Sequence, residues 1–242
     1  EKIDWFFEDD DDWLDNEDLD DEPFQESLNN TKRPLTAISL RAPKALPPQI
    51  ERRGNNLDQG YKTMTYHEVF HIYQMSNIFS RDYEEVDRKF GRRTGDEPNS
   101  DVAWWSEGNA DFFAALYTKD LNEFKEEMKW ALEGNGPFSM SRKTQFFENG
   151  QKLYNISWSQ GETVDLAYRI GSWFTAYLVH QNGEQSVYDF WETVDRGNFS
   201  NTFINIFGKD YKNYIDEFEN WLQLPNSELY KILDPIYKSK IK

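Results

Sequence analysis

Cysteine is absent from all 242 residues. That excludes disulfides and thiolate metal sites, so any zinc bound here has to be held by histidine and carboxylate. Histidine is itself scarce, with three in the chain. Aliphatic side chains are thin too: mean hydropathy is −0.88 while 17% of residues are aromatic. The core must therefore be built largely of rings, some of them available to line a groove. No run approaches the ~20 apolar residues of a membrane span. Positive charge is the last deficit, 27 Lys and Arg against 44 Asp and Glu for a net charge of −17. Such a balance argues against nucleic acid and anionic membrane as partners.

The length allows one sizeable core or a main domain with a smaller appendage. Residues 1–22 hold thirteen carboxylates and one lysine, interleaved with Trp5, Phe6, Phe7, Trp13 and Leu14. This composition predicts a solvated acidic segment. Its carboxylates are also candidates for Ca2+, although no EF-hand loop is present. Leu35–Leu40 reads as a short strand, followed by a Pro-broken connector. Helix signals begin near Lys62 and dominate the rest, with loops expected over 81–103 and 134–160. The expected organisation is an acidic N-terminal segment with a short β region over 1–60 and a helical domain over 61–242. The chain starts at Glu1 rather than Met and carries three N-x-S/T triplets. Both fit a trimmed, secreted or extracytoplasmic product.

Two of the three histidines fall in His67-Glu68-Val69-Phe70-His71. On a helix, positions i and i+4 lie roughly 40° apart around the axis and ~6 Å along it, so both imidazoles can close on one ion. Glu68, one step round, can reach a water on that ion without being a ligand. A catalytic zinc wants three protein ligands and one open position. Glu107, on a second predicted helix over 103–117, is the natural third. Asp111, one turn later, can accept the N–H of a ligating imidazole and fix its tautomer.

At these residues the chain resembles the gluzincin zinc metallopeptidases, the clan of thermolysin-like and M1-type enzymes, and most of all their peptidase MA-like domains. The resemblance lies in His67-Glu68-x-x-His71 and in Trp105-Ser106-Glu107-Gly108-Asn109-Ala110-Asp111-Phe112. It continues in Tyr168-x-x-Gly171-x-x-Phe174-x-x-Tyr177-Leu178, and in Phe207-Gly208 with Phe218-Glu219-Asn220-Trp221-Leu222, spanning roughly 61–225. It implies a helix-dominated α+β fold: a zincin-like catalytic domain with a short N-terminal β segment and a C-terminal helical bundle. It also implies one catalytic Zn2+ on His67, His71 and Glu107, with Glu68 as general base. Tyr168 matches the residue that donates to the oxyanion in M1-type members. His180 is the rival donor, but on one helix it lies about 18 Å from Tyr168 and cannot serve the same ion.

The chain departs from these families in three ways. The His71-to-Glu107 gap is longer, the region before the motif is short, and no G-x-M-E-N segment holds a substrate amino terminus. The expected activity is therefore an endopeptidase acting on peptide or protein substrates. The alternative is a non-catalytic, zinc-stabilised module that binds a partner through an aromatic groove and the acidic segment.

Overall fold

The computed structural model describes residues 57–80, 82–97, 100–134 and 140–241. The Leu35–Leu40 strand, the acidic block and its calcium candidates lie outside the described residues. Within them the fold is helix-only, 76% helical and without strands, which overturns the α+β expectation. The nearest thing to a sheet is one isolated antiparallel bridge, Val102 with Ser157. A bundle that buries ring-rich helix faces against one another pairs most backbone groups within its own helices, leaves the helix ends to caps, and needs no sheet to close the core. No helix among the described residues is long and apolar enough to cross a membrane.

In chain order the helices are α1 (Leu57–Ser76), α2 (Tyr83–Phe90), α3 (Ser106–Thr118), α4 (Leu121–Glu133), α5 (Arg142–Asn149) and α6 (Val164–Asn182). Then come α7 (Gln185–Thr193), α8 (Phe199–Phe207), α9 (Tyr211–Leu222), α10 (Asn226–Leu229) and α11 (Leu233–Ser239). Two of these stand where loops are expected. Helix α2 starts at Asp82, whose carboxylate accepts from the Glu84 and Glu85 amides, and stops at Gly91 in the left-handed region (φ 87°). Ser141 caps α5 in the same way, through the Thr144 amide. An eight-residue helix gives only about two turns of pattern, too short a stretch to stand out from a loop, so its caps are its main signal.

Helix α6 is the hub, buried along nearly all of Leu166–Val179 and packed chiefly against α3, which in turn packs against α1. The α3–α6 crossing is set by two glycines. A Cβ on Gly108 would lie 2.5 Å from the Gly171 carbonyl carbon, and one on Gly171 would lie 2.3 Å from the Trp104 oxygen. No other residue permits that approach. Buried Asn109, next to the seam, donates to Thr175 Oγ1 at 2.8 Å and accepts from Trp191 Nε1 at 3.0 Å. The core around them is built of rings, with Trp104, Trp105, Trp173 and Trp191 fully buried among Phe174, Phe190 and Phe203. Aromatic side chains have few torsions to freeze, so such a core fixes helix positions at low entropic cost.

Candidate metal centre

Helix α1 presents His67, His71 and Gln74 on one face, the spacing of nearly two helical turns. Phe70 anchors that helix by stacking on Phe113 of α3, with centroids 4.8 Å apart. The tight α3–α6 seam places the first turn of α3, with Glu107, opposite the two imidazoles. Glu107 Oε2 lies 3.1 Å from His67 Nε2 and 3.0 Å from His71 Nε2, and the two nitrogens are 3.1 Å apart. Two donors held ~2.0–2.1 Å from a tetrahedral zinc sit about 3.3 Å from each other. The triangle already has nearly that size. Two imidazole nitrogens and one carboxylate oxygen are also the donor set that zinc takes when thiolates are absent.

The outer nitrogens are held just as firmly. His67 Nδ1 donates to Asp111 Oδ1 at 2.9 Å, and His71 Nδ1 donates to Gln74 Oε1 at 2.7 Å. Both bonds select the tautomer that presents Nε2 to the centre. Gln74, fully buried, completes its own bonding by donating from Nε2 to the Ser106 carbonyl at 3.1 Å, tying α1 to the start of α3. Asp111 is steadied by Arg169 of α6, whose Nη1 donates to Oδ2 at 2.8 Å. The Arg169 guanidinium lies 4.5 Å from the Trp130 ring and that of Arg142 lies 4.3 Å from it.

Electrostatics at the triangle favour positive charge. Burial opposes protonation of His67, yet hydrogen bonds to Asp111 and Glu107 and the field of both carboxylates push its pKa up to about 10. Burial likewise opposes ionisation of Glu107, but the two imidazoles hold its carboxyl down to about 2. A site that stabilises an imidazolium beside a buried carboxylate stabilises a divalent cation for the same reason.

A cleft of about 870 Å3 opens beside the triangle between α1, α3, α4 and α6. His67, Glu68 and Asp111 form part of its wall, so the expected base faces the space next to the expected ligands. Tyr168 is half-buried against Trp158, with ring centroids 5.5 Å apart. Its hydroxyl makes no hydrogen bond to the triangle. Burial first, then the fields of Glu107, Asp111 and Glu68, push its pKa well up and keep it protonated. His180 is exposed in the last turn of α6, at the far end of that helix from Tyr168.

Sequence reasoning did not single out Gln74, Arg169 or Trp130. Gln74 sits three residues after His71 and seven after His67, a spacing that signals a shared face. Arg169 follows Tyr168 directly, and nothing in the chain announces its partner on α3. Set against known family models, curated proteins and solved structures, the chain matches none.

Proposed function

We propose that this chain is a zinc-dependent peptidase of gluzincin type, hydrolysing peptide bonds at the His67–His71–Glu107 centre. The observation that carries the reading is the convergence of three donor atoms within 3.1 Å of one another, with Glu68 on the wall of the adjoining cleft. A zinc ion held by these three side chains supplies Lewis acidity and a water of lowered pKa. Glu68 takes the proton from the attacking water and hands it to the leaving amine. Tyr168, kept protonated by its surroundings, donates towards the oxygen of the scissile carbonyl as negative charge develops there, an effect worth about 3 kcal/mol. Asp111 and Gln74 hold the two imidazoles in the ligating tautomer, and Arg169 holds Asp111.

The test is Glu68→Gln. The variant should bind zinc one to one, as the parent chain does, and lose nearly all turnover on a broad peptide library. Wild-type turnover in the variant would refute the mechanism. Zinc binding with no cleavage of any peptide by the parent chain would favour a non-catalytic zinc-stabilised module.

A further inference from the structure

The cleft beside the centre has two unlike surfaces. Its floor is small and apolar, made by Ala114 and Ala115 of α3 with Met128 and Ala131 of α4. Above that floor stands α4, whose Glu123, Glu126 and Glu127 share one helix face and all line the cleft. Counting Glu68 and Asp111, the lining holds five carboxylates against two cations, Lys119 and Arg169.

Both cations are already engaged. Lys119 pairs with Glu127 at 3.4 Å. Arg169 pairs with Asp111 at 2.8 Å and Asp165 at 3.4 Å. Lys129, just outside the lining, in turn pairs with Glu126 at 2.7 Å. Five carboxylates thus face three Lys and Arg cations and the lining keeps a negative excess, in a chain whose net charge of −17 already draws cations from solution. A surface with an apolar floor and an acidic wall fits one kind of side chain: a long aliphatic stem that lies on the alanines and ends in a positive head.

We propose that the cleft selects polypeptides with Lys or Arg next to the scissile bond. The inference rests on the peptidase reading for its register, since His67 and Glu68 in the same lining put the reacting carbonyl at one end of the cleft. Carboxylate-bearing residues at that position meet like charge and are rejected, which sharpens selection as much as the attraction does. Because the carboxylates are partly solvated, the preference is screened by salt.

The experiment uses the full chain loaded with zinc and three matched fluorogenic peptides that differ only in one residue flanking the cleaved bond: Lys, its uncharged isostere norleucine, or Glu. At low ionic strength the Lys peptide should exceed the Glu peptide in kcat/KM by about tenfold or more, the scale of one screened charge pair. The ratio should fall as salt rises. Glu126→Lys, an exposed position whose exchange leaves the core intact, should narrow the ratio several-fold. Dissociation constants of the same peptides for Glu68→Gln protein should follow the same order. Cleavage with a Lys-to-Glu ratio at or below one overturns the inference and leaves the peptidase reading standing. Tighter binding of the Lys peptide with no cleavage of any peptide supports the cleft assignment and overturns the peptidase reading. Equal binding of all three peptides overturns the assignment whatever the turnover.

Discussion

Replacing Gly171 by alanine should damage the fold and the centre together. The added Cβ meets the Trp104 carbonyl oxygen at 2.3 Å, where an ordinary contact begins at 3.4 Å. The obstacle is backbone, so no side chain can swing aside, and α6 must retreat from the start of α3 by about 1 Å in a close-packed interior. Overpacking of this kind costs up to about 3 kcal/mol. Exchanging glycine for alanine inside a helix returns about 1 kcal/mol of propensity. The net loss is about 2 kcal/mol, which lowers the melting temperature of a domain this size by about 4–8 °C. The same displacement shifts Glu107, one residue before Gly108, relative to the imidazoles of α1. Zinc affinity, measured by competition with a chromophoric chelator, should therefore weaken in step with stability. Gly197→Ala is the matched control: its Cβ meets only Thr202 Oγ1 at 3.4 Å, without a strained φ. A Gly171→Ala protein that melts at or above the parent temperature, or binds zinc as tightly, would show that the seam does not position the ligand.

Two further outcomes can be checked directly. Gln74→Leu keeps the volume but removes the acceptor for His71 Nδ1, so zinc affinity should fall about 10- to 100-fold while the helical circular dichroism is unchanged; calorimetric titration reads it. In chelator-treated protein, His67 is raised from 6.5 to about 10, so its contribution to stability is complete below pH 6.5 and is lost as pH rises through about 10. Glu107 is lowered from 4.5 to about 2, so its contribution is complete above pH 4.5 and is lost as pH falls towards about 2. Denaturant midpoints measured across pH should therefore be highest between about 4.5 and 6.5, and a midpoint that rises steadily above pH 8 would refute the assignment of charge at the triangle.

Each half of the centre is legible because its geometry is local, whereas the meeting of the two halves is a long-range contact. His67 and His71, like Glu107 and Asp111, are pairs four residues apart, and helix periodicity alone puts each pair on one face. Gly108 and Gly171 stood in the two motifs as unexplained small residues, and their contact gives them a reason. The architecture was less legible. The α+β expectation leaned on Leu35–Leu40 and on resemblance, while the described residues form helices only. Helices α2 and α5 fall where loops are expected because eight residues give only about two turns of pattern, and Gly91 and Gly150, which read as loop residues, are the ends of helices. Gln74 escaped notice because an amide on a helix is ordinarily a solvent-facing residue. Only the approach of α3 makes it buried, and that approach is set by chain a hundred residues away.

The indole of Trp130 has one more consequence. It stands on the cleft wall with two guanidiniums against its ring, whereas Trp104, Trp105, Trp173 and Trp191 are sealed in the core. One of those guanidiniums, that of Arg169, also grips Asp111, which grips His67. The fluorophore is thus coupled through three contacts, by way of Arg169 and Asp111, to His67, and it lines the space a peptide would fill. Its emission offers a label-free optical reading of what occupies the cleft, isolated by difference from a Trp130→Phe protein because Trp158 and Trp221 are also only partly buried.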